Sequence, residues 1–231
     1  MKKLNLSVSQ LIKIVAENEI IGQGCYGIIY KLNDEMLFKF KYKDFIEDFE
    51  EDIEEEGRTI NIRKLKDISE RIEDWKEIYK EIYSDGEDPD EKTKKLIKLQ
   101  DKIRLTKLTQ GLVYVSGLCV GYLLHYHKNM VCLHNFLENN EISIEDKKII
   151  FQNIENAVKE LCDNKIYMDD LNAGNILINP ENNSIQLIDF EDAWTSVQDY
   201  HFPKCVKFVM EKLKRIKNYI FSRNQEDEML L

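Results

Sequence analysis

The residues with most chemistry to offer fall into three groups. The first is Ile21-Gly22-Gln23-Gly24-Cys25-Tyr26-Gly27-Ile28-Ile29-Tyr30, where Gly22, Gly24 and Gly27 let backbone N–H groups come close to a phosphate. It lies between two strand-like runs with no helix behind it. A dinucleotide-binding fingerprint needs strand, glycines and then helix, so that reading is disfavoured. A glycine-rich hairpin without a ligand has the same pattern. The second group centres on Lys39, inside the apolar run Met36-Leu37-Phe38-Lys39-Phe40, where an inward-facing cation needs an anion. Lys41 has the same strand parity and could replace it. The stripe Phe45, Phe49, Ile53, Ile60 misses a turn at Glu56, which makes Glu56 the candidate acid, with Glu54 and Glu55 beside it. The third group is Tyr167-Met168-Asp169-Asp170-Leu171-Asn172-Ala173-Gly174-Asn175-Ile176-Leu177-Ile178, followed fourteen residues after Asn175 by Asp189 in Leu187-Ile188-Asp189-Phe190-Glu191.

Elements must position these groups. Residues 19–40 read as three antiparallel strands around the glycine turn and the polar turn Asn33-Asp34. From 45 to 108 the periodicity is helical, broken by a loop at 84–89, and 93–108 predicts a charged helix. Residues 112–115 and 118–124 predict two more strands joined at Ser116-Gly117, giving five before residue 125. Ser143-Ile144-Glu145-Asp146 has capping-box spacing ahead of the apolar face Ile150, Ile154, Ala157, Val158, Leu161, so a long core helix follows Ser143. Ile176-Leu177-Ile178 and Ile185-Gln186-Leu187-Ile188 make a hairpin, and 202–221 a terminal helix.

The third group carries a resemblance. D-x-x-x-x-N-I-L-I, a hairpin, then I-D-F resembles the catalytic and metal-binding segments of the protein kinases and their relatives, the aminoglycoside and choline kinases. The resemblance implies an α+β, two-lobed protein-kinase-like fold. Its N-lobe, residues 1–124, would hold a five-stranded antiparallel sheet with a helical insertion at 63–108. Its C-lobe, 125–231, would be reduced and mostly helical. It further implies Asp170 as the catalytic aspartate, Asn175 and Asp189 as magnesium ligands, and Gly22, Gly24, Gly27 and Lys39 at the phosphates of ATP, with Glu56 pairing Lys39. Leu124-His125-Tyr126 looks like the hinge whose backbone, at His125 and Tyr126, would bind adenine beside Tyr122, Leu123 and Leu124. The chemistry is consistent: an acceptor hydroxyl needs a carboxylate to receive its proton, and Mg²⁺ prefers hard oxygen ligands beside the triphosphate.

Three departures stand out. Met168 replaces the histidine usual before the catalytic loop. Glu191 replaces the glycine of D-F-G, so Ile188-Asp189-Phe190-Glu191-Asp192-Ala193 looks more like the I-D-F-E-x-A of the small-molecule kinases. Only 42 of the 231 residues follow Asp189, with no A-P-E motif, too few for the usual acceptor-binding helices.

Composition narrows the rest. Hydrophobic residues are 43% and charged residues 33%, a globular profile. The formal charge of −10 disfavours nucleic acid and anionic membrane as partners. Five scattered cysteines without a CxxC pair suggest neither a disulfide framework nor a zinc site. No apolar run approaches the roughly 18 residues of a membrane span, so a cytoplasmic location is expected. The expectation is an ATP- and magnesium-dependent kinase acting on protein Ser or Thr hydroxyls. The alternatives are a small-alcohol acceptor, or a pseudokinase that binds nucleotide or a partner.

Overall fold

The computed structural model describes residues 2–24, 27–41, 72, 90–190, 193–195 and 202–222. The chain is mixed α+β and divides into two units, one comprising Met1–Ile97 with Thr109–Lys128, the other Lys98–Leu108 with Asn129–Leu231.

The first unit is built on β1 (Lys2–Leu6), α1 (Val8–Glu17), β2 (Ile20–Gly24), β3 (Gly27–Lys31), β4 (Met36–Phe40), β5 (Gly111–Val115) and β6 (Leu118–His125), with α2 beginning at Glu91 and ending at Leu99. Its sheet has six strands in the order β1-β5-β6-β4-β3-β2. The expected sheet of five antiparallel strands is therefore corrected: β1 is added at one edge and runs parallel to β5, Leu4 opposite Val113. An edge strand has one neighbour, so the short alternation at Leu4 and Leu6 is enough to hold it, and periodicity alone leaves it unmarked. The helix after it is also unmarked by a long apolar stripe, yet it starts on a capping box. Ser7 Oγ accepts from the Gln10 N–H at 3.2 Å while Gln10 Oε1 accepts from the Ser7 N–H at 2.8 Å.

Strand β4 is covered on both faces, with Leu37, Phe38, Lys39 and Phe40 all buried. Phe38 and Phe40 join Leu11, Val15, Ile28, Tyr30 and Val120 in one core. Each large apolar side chain buried there contributes roughly 1.5–3 kcal/mol. On the opposite face Leu112, Tyr114, Cys119 and Tyr122 pack with Ile97 of α2.

The second unit contains β7 (Val131–Cys132), α3 (Leu133–Asn139), α4 (Ile144–Asp163), β8 (Ile176–Ile178), β9 (Ile185–Leu187) and α5 (Phe202–Ser222). The expected hairpin is present, with β7 as its third strand. Ser143 caps α4 by accepting from the Asp146 N–H at 3.0 Å, and α4 buries Ile150, Ile154, Ala157, Val158 and Leu161. Helix α5 turns Cys205, Val209, Leu213, Ile216 and Ile220 inward.

The expected helix 93–108 is corrected. It stops at Leu99, passes through a 3-10 turn Gln100–Lys102, and continues without helix to Gln110. Side chains brought from far along the chain answer its amides: Glu160 accepts from the N–H of Arg104 at 3.0 Å and of Leu105 at 2.8 Å. Buried Gln186 accepts from the Lys107 N–H at 3.0 Å, and Thr106 Oγ1 accepts from the Leu187 N–H at 3.1 Å. Those bonds replace the helical ones, so propensity loses to tertiary contacts. No helix among the described residues is long and apolar enough to cross a membrane. Cys119, Cys132, Cys162 and Cys205 are free thiols.

Candidate functional site

In the first unit β2 and β3 pair with Gly22 opposite Ile29 and Gly24 opposite Gly27, so all three glycines sit on strands flanking the turn. Cys25 and Tyr26 at its tip lie outside the described residues. The glycines are not equivalent. A Cβ on Gly22 would meet Ile29 at an ordinary 3.5 Å, whereas one on Gly27 would run into the Phe40 carbonyl oxygen. Gly27 is therefore required by strand packing alone.

Lys39 is 8% exposed and lies between Ile29 and Tyr122 in the ladder. Glu56 lies outside the described residues. Lys41 has a visible partner: its ammonium is 3.6 Å from an Asp90 carboxylate oxygen and 4.5 Å from the centre of the Tyr122 ring. Burial works against that charge, but Tyr122, Cys119 and Asp90 together hold the Lys41 pKa above its ordinary value. The same burial, helped by Asp90, pushes the Cys119 thiol up to about 12. Asp90 also accepts from the Tyr114 hydroxyl at 3.4 Å.

His125 closes β6 opposite Met36. The Tyr126 N–H donates to the Glu35 carbonyl at 3.0 Å, so that amide is engaged within the fold and an adenine there would have to use other groups. Both side chains line a cavity of about 340 Å³ with Lys2, Asn33, Glu35 and Gln110.

In the second unit the polar string folds into a tight constellation. Asn172 starts a 3-10 turn Ala173–Asn175, its Oδ1 accepting from the N–H of Gly174 at 2.7 Å and of Asn175 at 3.2 Å. Its Nδ2 donates to Asp170 Oδ1 at 2.7 Å. Asn175 Nδ2 donates to Asp170 Oδ2 and to the Asp170 carbonyl, both at 2.9 Å. Each oxygen of the Asp170 carboxylate thus receives one amide, while the residue itself stays exposed. Cys132 Sγ, at 3.4 Å from the Ala173 carbonyl, ties this turn to the start of α3. Lys212 on α5 donates to the Asp169 carbonyl.

The Ile188 N–H donates to the Asn175 carbonyl at 3.0 Å, which sets the next residue, Asp189, beside the turn. Asp189 has φ of +65°, the left-handed region, at a cost of roughly 1 kcal/mol for a residue with a Cβ. With both Asn175 Nδ2 hydrogens directed at Asp170, its Oδ1 is left facing away. That oxygen accepts no hydrogen bond from the described residues. An amide oxygen and a carboxylate suit Mg²⁺, which commonly takes one or two protein oxygens and completes its shell with phosphate and water. Among the described residues no cluster of three His, Cys, Asp or Glu is placed to hold a metal.

Sequence reasoning overlooked Asn172, although it stands inside the quoted string and Asn is a common turn-former. It also overlooked Asp90 as the acid beside Lys41, and Lys212, whose distance along the chain hides its link to Asp169.

No protein-family model matches this chain, and no curated protein matches it. Among solved structures, a chain of the crystal structure of the yeast RNA Pol II CTD kinase CTDK-1 complex is 24% identical, with a TM-score of 0.37. The likeness covers 46% of this chain and 36% of that one, little more than a third of its length. It is too slight to define a family, and the residues themselves carry the functional reading.

Proposed function

We propose that this protein is an ATP- and magnesium-dependent phosphotransferase that moves the γ-phosphate to a hydroxyl acceptor, by preference a protein serine or threonine. The observation that carries the reading is the Asp170–Asn172–Asn175 constellation continuing into the strained Asp189. Two amide donors hold the Asp170 carboxylate in one orientation, and its remaining lone pairs face solvent, where a hydroxyl can approach. Asp170 would align that hydroxyl and take its proton as the oxygen attacks phosphorus. Asn175 and Asp189 would hold Mg²⁺, which when bound neutralises charge on the phosphate oxygens. Gly22, Gly24 and Lys39 are assigned to the nucleotide phosphates, Gly27 shaping the strand that carries them.

The test is Asp170→Asn, which keeps the size and one of the two acceptor oxygens but cannot take a proton. Phosphate transfer is expected to fall by roughly 10²–10⁴-fold while Mg–ATP binding, measured by calorimetry, stays within a factor of a few. Equal transfer by both proteins defeats the assignment.

A further inference from the structure

A cavity of about 420 Å³ opens directly on the Asp170 turn, walled by Asn172 and Gly174 on one side and by Lys212, Arg215 and Tyr219 of α5 on the other. We propose that this cavity is the acceptor site and that it selects a hydroxyl flanked by negative charge, an acidic Ser- or Thr-containing segment. The proposal rests on the phosphotransferase reading and names its substrate class.

The charge pattern carries the argument. The protein has a net charge of −10, yet α5 holds Lys204, Lys207, Lys212, Lys214, Arg215 and Lys217 against the lone acid Glu211. Two of those cations, one helical turn apart, line the cavity. The Lys212 ammonium is anchored on the Asp169 carbonyl and lies 4.7 Å from the Phe208 ring centre. Arg215 is exposed and makes no ion pair with any described residue, so its guanidinium can meet a carboxylate or phosphate in two-pronged fashion. The wall beyond is fixed: Tyr219 Oη lies 2.6 Å from His134 Nδ1, and His134 Nε2 is 3.3 Å from Glu138. Among the described residues that line the cavity, Asp170 alone carries a carboxylate. A cationic alcohol would face Lys212 and Arg215, whereas an anionic acceptor would be drawn toward the reacting carboxylate's side and held by them. The volume is within the usual range of about 300–1,000 Å³ for a ligand pocket.

The experiment uses the full chain with Mg²⁺ and labelled ATP, and one serine peptide with its flanking residues Asp/Glu, Asn/Gln or Lys. Glycerol 3-phosphate supplies a small anionic alcohol. Binding of the fluorescein-labelled acidic peptide is followed separately by anisotropy. Expected are at least tenfold higher kcat/KM for the acidic peptide than the neutral one, and a ratio that collapses in Arg215→Gln, chiefly through KM. Arg215→Gln should also weaken peptide binding by a similar factor, while Lys204→Gln, on the same helix outside the cavity, changes neither. Preferential phosphorylation of glycerol 3-phosphate supports the anionic selection and moves its source to a small molecule. Equal use of neutral or Lys-flanked peptides, or equal peptide binding by wild type and Arg215→Gln, overturns the proposal and leaves the phosphotransferase standing. Loss of Mg–ATP binding and of all transfer removes the phosphotransferase reading itself.

Discussion

The two candidate regions are held together in opposite ways. Around Asp170 the bonds are local: the Asn172 and Asn175 side chains reach back two and five positions, so a dozen consecutive residues contain most of their own geometry. Just after β4 the ion pair is long-range, Lys41 finding Asp90 49 positions later in the sequence. A site made of short-range hydrogen bonds can be disabled chemically without loosening the fold. A buried ion pair cannot, because removing one partner leaves the other charge desolvated.

Breaking the comparison at its local end, Asp170→Asn should give the largest effect, the transfer loss stated above, with the thermal midpoint nearly unchanged. A midpoint drop as large as that of a core variant would show the turn to be structural instead.

At the other end, Lys41→Ala takes the ammonium away from the Asp90 carboxylate, 7% exposed, and should cost about 3 kcal/mol of stability in urea denaturation. Lys39→Ala should instead depress phosphate transfer more than stability. A Lys39 variant that unfolds while the Lys41 variant stays stable and loses activity would exchange the two roles.

Nucleotide sharpens the contrast. ATP at about 100 times its dissociation constant adds ~2.7 kcal/mol, and the stabilisation should be greater with Mg²⁺ than with EDTA if Asn175 and Asp189 hold the ion. Identical thermal shifts with and without metal would withdraw both ligands from the scheme.

The smallest effect is on pH. Burial raises Cys119 to about 12 and Cys162 to about 11, each from an ordinary 9.0. Both thiols are neutral in the folded protein above pH 9, where the unfolded chain ionises. Their contribution is therefore complete below about pH 9 and is lost as pH rises toward 11–12, for Cys119 at up to about 1.4 kcal/mol per pH unit. Melting curves at pH 8 and 10 should show the decline, and Cys119→Ala should flatten it. An unchanged slope in that variant would place the alkaline sensitivity elsewhere.

The strands β2–β6, the hairpin of β8 and β9, the long helix after Ser143 and the terminal helix were legible because alternation, turn residues, a cap and a 3.6-residue stripe act within a few residues of one another. The same holds for Asp170 and Asn175, whose mutual hydrogen bonds span one turn. Glu56 and the tip of the glycine turn fall outside the described residues. What the amino-acid order by itself determined is thus the set of locally closed structures. Only the tertiary structure decided that Lys2–Leu6 becomes a parallel edge strand, since its partner β5 lies a hundred residues away. It also decided that 103–108 is drawn out of a helix by Glu160 and Gln186, and that the basic face of α5 comes to wall the cavity at Asp170. Each of those outcomes depends on a hydrogen-bond or charge partner supplied from elsewhere in the chain, and no local pattern records where such a partner will arrive.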